Sequence, residues 1–129
     1  MDIKKTFALA TLNHQKNDIQ AAQDLYNQIL KIDPNHLGSL NNLGVAFDSL
    51  GDFNKSKDCY EKVITINPNS TQALNNLGNV LADLEQLDDA VDNFNRAIDI
   101  NPRFVEAYYN LGVAFRNLRK LDEAVLVYK

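Results

Sequence analysis

The chain repeats itself every 34 residues. A proline preceded by Asp or Asn recurs at this spacing, as Asp33-Pro34, Asn67-Pro68 and Asn101-Pro102. A Leu-Gly pair recurs in the same register, at Leu43-Gly44, Leu77-Gly78 and Leu111-Gly112. A fixed period of this length indicates that each repeat is one supersecondary element whose apolar face is covered by its neighbour. We therefore expect an elongated solenoid with a long groove, a surface suited to binding other chains.

The prolines divide the chain into repeats at residues 3–36, 37–70 and 71–104, with an incomplete fourth repeat at 105–129. Within a repeat, apolar residues recur at steps of three and four, which is the spacing of one helical face. A break follows at Gly51-Asp52, Glu85-Gln86 or Arg119-Lys120, and a second amphipathic stripe then runs to the proline. We predict an all-α fold in which each repeat is an antiparallel pair of helices.

The predicted helix ends and the small residues also recur with the 34-residue period. A residue before proline is disfavoured in a helix, so Asp33, Asn67 and Asn101 are predicted to end the second helices. Glycine inside a helix costs about 1 kcal/mol relative to alanine, so the periodic glycines indicate that the paired helices approach closely. The predicted small-residue pairs are Ala10 with Ala22, Gly44 with Ser56, Gly78 with Ala90, and Gly112 with Ala124.

Composition excludes several classes of function. The net charge is −4, whereas a nucleic-acid-binding surface requires clustered positive charge. The single cysteine, Cys59, cannot form an internal disulfide. The N-terminus becomes polar too soon for a signal peptide or a membrane span. We expect a cytoplasmic protein that binds neither nucleic acid nor membrane.

The residues at the repeat positions resemble the tetratricopeptide repeat family, whose repeat carries a large residue, Leu-Gly and an aromatic, and then Ala, an aromatic and a terminal Pro. The large position holds Leu40, Leu74 and Tyr108, and the aromatic position of the second helix holds Tyr26, Tyr60, Phe94 and Tyr128. The resemblance spans almost the entire chain. It implies a right-handed superhelix, an α-solenoid, with the first helices on its concave side.

The resemblance also points to the residues that line the groove, which are rich in asparagine. The candidate peptide-binding residues are Asn41, Asn42, Asn75, Asn76, Asn79, Tyr109, Asn110, Arg116 and Asn117. Asn42, Asn76 and Asn110 form a row at the repeat spacing, which we call the amide row. A carboxamide donates and accepts together, so such a row can hold a peptide backbone. The alternative is that these amides cap helices, face solvent or bond between adjacent first helices.

Two branches of the family bear on the partner. The amide row and the run from Asn75 to Asn79 resemble the repeat arm of O-linked N-acetylglucosamine transferases, in which such asparagines hold the protein substrate. Carboxylate-clamp members instead place Lys and Arg in the groove to hold a terminal carboxylate. The matching positions here are Asn41, Val45, Asn76, Glu106 and Asn110, which predicts that the chain is not a carboxylate clamp.

No set of residues has the pattern of an active site or a metal site. His14 and His36 lack neighbouring ligands at metal spacing and are expected at helix ends. Cys59 has no basic partner in view and is expected to be an inert thiol. Asp88 and Asp89 fit the start of a helix, where acids favour the helix dipole, better than an acid–base pair. We predict no catalytic residue, no metal and no cofactor, and therefore no enzymatic activity.

Three functions follow from these observations, and the sequence leaves them open. The first is a scaffold that binds a protein or peptide in the asparagine-lined groove. The second is the substrate-recognition arm of a longer transferase. The third is self-association through the C-terminal edge, where Ala124, Val125, Val127 and Tyr128 lack a following helix to cover them.

Overall fold

The computed structural model describes the backbone of residues 1–127 and the side chains of residues 1–122. All regular secondary structure in this part of the chain is helical. The helices are α1 (Ile3–Gln15), α2 (Ile19–Ile32), α3 (Leu37–Ser49), α4 (Phe53–Ile66), α5 (Thr71–Asp83), α6 (Leu87–Ile100) and α7 (Val105–Val127). Contacts divide the chain into an N-terminal unit, Met1–Pro68, and a C-terminal unit, Asn69–Lys129. The predicted all-α fold of paired helices is confirmed.

The second helix of each complete repeat ends where the sequence predicts. Helices α2, α4 and α6 end one residue before Asp33, Asn67 and Asn101, and each of these three residues has an extended or irregular backbone conformation. Proline disfavours the helical conformation in the residue before it, so the helix ends there. The next helix then begins three residues after the proline, at Leu37, Thr71 or Val105.

Most of the helix starts are capped by polar side chains. In five of the first six helices, the residue before the helix accepts a hydrogen bond from a backbone N–H three residues later. These caps are Asp2, Asp18, His36, Asp52 and Ser70. Helix α6 follows Gln86, whose side chain makes no such bond, and instead carries Asp88 and Asp89 in its first turn. Their carboxylates favour the positive end of the helix dipole, in agreement with the sequence analysis.

The turn inside each complete repeat depends on one residue with a left-handed backbone. The three residues are Asn17 (φ 63°), Gly51 (φ 77°) and Glu85 (φ 61°), at the repeat spacing. Glycine adopts this conformation readily and asparagine adopts it more easily than most residues. Glu85 has neither property, so its turn is strained by about 1–2 kcal/mol.

The predicted break at Arg119-Lys120 is wrong, because α7 continues as one helix from Val105 to Val127. Arg119 stands 34 residues after Glu85, in the register of the left-handed residue. A left-handed arginine would be strained, whereas a continuous helix keeps its backbone hydrogen bonds. In the preceding repeat, the packing of α6 against α5 offsets the strain of the turn, whereas α7 continues as one helix.

Replacing Glu85 by glycine is expected to raise the free energy of unfolding by about 1 kcal/mol, because glycine has no Cβ to strain the left-handed backbone. Urea denaturation measures the change. Glu85→Ala is the matched control, since it removes the same carboxylate but keeps a Cβ. Equal stability of the two variants would contradict a contribution from backbone strain.

The packing within the helix pairs explains why glycine occupies positions 44 and 78. A Cβ built on Gly44 would lie 2.5 Å from the ring of Tyr60, and one built on Gly78 would lie 2.7 Å from Cδ1 of Phe94. Both rings are buried. Ser56, the small partner predicted for Gly44, donates a hydrogen bond from Oγ to the Gly44 carbonyl at 2.6 Å. The glycines therefore make room for the aromatic ring as well as for the small residue.

Gly112 differs from the other two periodic glycines. A Cβ built on it would meet no atom within 4 Å among the described residues. Its predicted partner Ala124 has a side chain outside the described residues, as do Val125, Val127 and Tyr128. The pairing of Gly112 with Ala124 within one chain stays a prediction.

Candidate functional site

The candidate groove residues all lie on the first helices of their repeats. Asn41 and Asn42 belong to α3 in the N-terminal unit. The remaining candidates belong to the C-terminal unit. They are Asn75, Asn76 and Asn79 on α5, and Tyr109, Asn110, Arg116 and Asn117 on α7.

Helices α5 and α7 lie side by side, joined by a hydrogen bond between two candidate residues. Asn110 Nδ2 donates to Asn75 Oδ1 at 3.1 Å. Asn75 is 0% exposed, and its own Nδ2 has no acceptor within hydrogen-bond distance among the described atoms. Asn75 therefore does not face solvent as a groove residue would. It lies behind Asn110 and holds the Asn110 amide in place.

The other two members of the amide row also have partners inside the protein. Asn42 hydrogen-bonds the hydroxyl of Tyr26, where burial raises the pKa of the phenol and the bond from Asn42 opposes that rise. Asn76 Oδ1 accepts a bond from Gln72 Nε2 at 3.0 Å. These bonds agree with the alternative in which the amides act structurally. Each amide can still form hydrogen bonds with a ligand, because a carboxamide has four hydrogen-bonding positions.

The exposed surface of α7 carries a concavity of about 280 Å³, lined by Tyr108, Tyr109, Gly112, Val113 and Arg116. Tyr109 is 71% exposed and Arg116 is also exposed. Two of the candidate residues thus line the same concavity, and Asn110 lies next to Tyr109 in the chain. Sequence reasoning missed Tyr108 and Gly112 as lining residues, because the repeat pattern assigns both to helix packing.

A larger cavity of about 910 Å³ lies in the N-terminal unit, between α2, α3 and α4. Its lining includes the apolar residues Leu30, Leu40, Leu43 and Phe47 and the charged residues Asp58, Glu61 and Lys62.

Cys59 also lines this cavity. Burial raises the pKa of its thiol to about 11, with a smaller effect from Asp58 in the same direction and an opposing one from Lys62. A thiol with this pKa is protonated at neutral pH and is a weak nucleophile. The expectation of an inert thiol therefore has a physical basis.

Both histidines lie at helix ends, as expected. His36 caps α3, where its Nδ1 accepts from the Ser39 backbone N–H at 3.1 Å. His14 lies in the last turn of α1, with its Nδ1 3.3 Å from the Tyr26 hydroxyl oxygen. Within the described residues, no three His, Cys, Asp or Glu side chains cluster with the geometry of a metal site. None of the helices there combines the length and hydrophobicity needed to span a bilayer.

Family models match almost every part of this architecture. Models described as tetratricopeptide repeats match residues 7–36, 39–70 and 59–92. A further model, described as a TPR repeat, matches residues 78–119. Comparison with curated proteins found no match.

Solved structures share the fold. A crystal structure of MamA protein matches with a TM-score of 0.84 and 26% identity, over 98% of this chain and 69% of that chain. The first TPR of Spaghetti (RPAP3), bound to an HSP90 peptide, matches with a TM-score of 0.87 and 19% identity, over 91% of this chain and 93% of that chain. An O-GlcNAc transferase of Thermobaculum terrenum matches with a TM-score of 0.81 and 23% identity, over 87% of this chain but 22% of that chain.

The helix pairs, the 34-residue register of their prolines and glycines, and the family models that match along the chain agree with one another. The chain belongs to the tetratricopeptide repeat family.

Proposed function

We propose that the chain is a non-enzymatic interaction scaffold that holds an extended segment of a partner protein against the first helices of its C-terminal unit. The binding surface comprises Asn76 and Asn79 on α5 and Tyr109, Asn110 and Arg116 on α7. The observation that carries the proposal is the concavity on α7, which an exposed tyrosine and an exposed arginine both line. Asn110 lies on the same helix, where its amide is hydrogen-bonded to Asn75.

The chemistry of these side chains suits a peptide. Tyrosine and arginine are enriched at the centres of protein interfaces, because each offers a large contact area together with hydrogen-bond donors. Asn110 donates to Asn75, and its oxygen can still accept from a peptide N–H. Each such bond contributes about 0.5–1.5 kcal/mol, so we expect micromolar affinity for a short segment.

The acidic surface of the C-terminal unit lies on a different helix. Asp88, Asp89, Asp92 and Asp99 are all exposed on α6, whereas Arg116 is on α7. A basic partner would favour α6, and a segment that uses α7 is expected to be neutral or acidic where it meets Arg116. We therefore expect α6 and α7 to bind segments of different charge.

A second function is the substrate-recognition arm of a longer transferase. The match to an O-GlcNAc transferase, of which this chain covers 22%, supports the same fold within a larger enzyme. Sequencing the reading frame on both sides of the 129 residues tests this function. A catalytic domain fused to the chain would favour the arm, and its absence would favour the scaffold.

The scaffold function is tested by selecting ligands from a phage-displayed library of random peptides and mapping the selected peptide by NMR. We expect backbone amide shifts to change at residues 76, 79, 109, 110 and 116. Shifts confined to α6 or to the cavity of the N-terminal unit would contradict the proposed surface.

Tyr109→Ala and Arg116→Ala are each expected to weaken binding of the selected peptide by about tenfold, since each removes an interface anchor worth more than about 1 kcal/mol. Isothermal titration calorimetry measures the change. Arg96→Ala is the matched control, because Arg96 is an equally charged, exposed residue of the same unit on α6. An equal loss of affinity in Arg96→Ala would indicate non-specific charge attraction instead.

A further inference from the structure

Asn75 is a fully buried amide with only one of its two polar groups hydrogen-bonded. Its side chain is 0% exposed, like that of its neighbour Leu74. The Asn75 oxygen accepts from Asn110, whereas its Nδ2 meets no acceptor among the described atoms. Burying an amide group without a partner costs stability, and a branched apolar residue would avoid that cost. Position 75 therefore holds a residue that folding alone does not favour.

Burial distinguishes the bond between Asn75 and Asn110 from the bond that Asn76 makes. Gln72, the partner of Asn76, is an exposed residue of the same helix, so water competes for that bond. Asn110 instead bonds to a residue of a different helix that has no exposed surface. Turning Asn110 away would leave both polar groups of Asn75 without a partner among the described atoms. The Asn110 amide is therefore held more firmly than the Asn76 amide.

The same bond determines which groups Asn110 offers to a ligand. One N–H of its Nδ2 is committed to Asn75, at 3.1 Å. The amide retains one N–H, while its oxygen, at the other end of the planar group, accepts up to two hydrogen bonds. A ligand beside Asn110 therefore meets mainly an acceptor. The group of a peptide backbone that complements an acceptor is the N–H.

We propose that Asn75 is a positioning residue that sets the hydrogen-bond specificity of the peptide-binding surface. It holds the Asn110 amide so that the Asn110 oxygen accepts from one backbone N–H of the bound segment. Asn75 itself touches no ligand, because it has no exposed surface. Its role rests on the proposed function, in which the first helices of the C-terminal unit bind a peptide, and adds the residue that orders this surface.

The size of the effect has an upper limit. An amide that is already ordered binds more tightly than a mobile one, because the ligand does not have to order the side chain. Replacing Asn75 can remove at most the contribution of Asn110 itself, which for one hydrogen bond is about two- to tenfold in affinity. A general loss of the fold would have no such limit.

Asn75→Leu is expected to weaken binding of the selected peptide by about two- to tenfold, measured by isothermal titration calorimetry, because it removes the acceptor for Asn110. Asn75→Ala is measured beside it, since leucine is larger than asparagine, and the same loss is expected. Val80→Ala is the matched control. Val80 is a buried residue of the same helix, 1% exposed, so its truncation loosens the core but leaves the bond between Asn75 and Asn110 in place. Its affinity is expected to stay within about twofold of the original.

A double-mutant cycle tests whether Asn75 acts through Asn110. Asn110→Ala removes the amide that Asn75 positions, so adding Asn75→Leu to it is expected to cause no further loss of affinity. Circular dichroism checks that all variants keep their helices. Additive losses would show that Asn75 affects binding by another route and would overturn the proposal.

N-methylation of the selected peptide tests the predicted backbone group. Each backbone N–H is replaced in turn by N-methyl, which removes one donor. We expect one position where the affinity falls about two- to tenfold more for the original chain than for Asn75→Leu or Asn110→Ala. Equal sensitivity of all three chains at every position would show that Asn110 accepts from no backbone N–H, and would overturn the proposal.

The proposed function and the role of Asn75 fail in different ways. A selected peptide that leaves the amide shifts of residues 76, 79, 109, 110 and 116 unchanged would contradict the peptide-binding surface itself, and the role of Asn75 with it. If those shifts change but Asn75→Leu binds as tightly as the original chain, the surface is supported and only the role of Asn75 is overturned.

Discussion

Phe94→Ala is expected to lower the free energy of unfolding by about 3–5 kcal/mol, the largest effect of any change considered for this chain. The Phe94 ring is 1% exposed and lies against Gly78 in the centre of the C-terminal unit. Its removal loses the burial of the ring and leaves a cavity that glycine cannot fill. Urea denaturation followed by circular dichroism measures the loss.

Phe115→Ala is the matched control for Phe94→Ala, because both replace the same residue type on neighbouring helices of one unit. Phe115 is 52% exposed, so its replacement is expected to cost less than about 1 kcal/mol. Losses of equal size for the two variants would contradict the difference in burial between them.

Gly78→Leu is expected to lower the free energy of unfolding by about 1–3 kcal/mol, even though leucine gains about 1 kcal/mol in helix propensity. A Cβ at position 78 already lies 2.7 Å from Cδ1 of Phe94, so the leucine must displace a buried ring. Gly112→Leu provides the contrast. It adds the same side chain in the same Leu-Gly context, where a Cβ meets no atom of the described residues within 4 Å, and it is expected to cause no such loss of stability.

The double variant Gly78→Leu/Phe94→Ala joins these two predictions. The leucine is expected to fill part of the cavity left by the ring, so the double variant loses less stability than the sum of the single losses. A coupling of about 0.5–3 kcal/mol is typical of residues in direct contact. Additive losses would show that the leucine and the ring do not compete for one space.

Helix boundaries could be predicted from the sequence because they depend on short-range preferences. The residue before each proline ends a helix by local steric hindrance, and the side chains of Asp, Ser or His cap helix starts through bonds that span three residues. Gly51 and Glu85, which are 34 residues apart, lie at two of the turns within repeats. At Arg119 that period predicts a third turn, but the left-handed conformation of the turn disfavours arginine, and α7 continues.

The partners of the asparagines could not be predicted in the same way. Asn75 and Asn76 are neighbours in the sequence and look equivalent as groove residues. Asn75 is buried and accepts from Asn110, whereas Asn76 accepts from Gln72 on its own helix. The first bond joins residues 35 positions apart, and only the packing of α5 beside α7 brings them together.

The sequence by itself determined the repeat, the helix pairs and the family, because period, proline and capping act over a few residues and recur with the same spacing. The tertiary structure decided which amides are hydrogen-bonded within the protein, why glycine is required beneath Tyr60 and Phe94, and that no described side chain covers Gly112 in the same way. These properties depend on which surfaces meet after the helices pack. That packing joins residues distant in the chain, and no local preference encodes it.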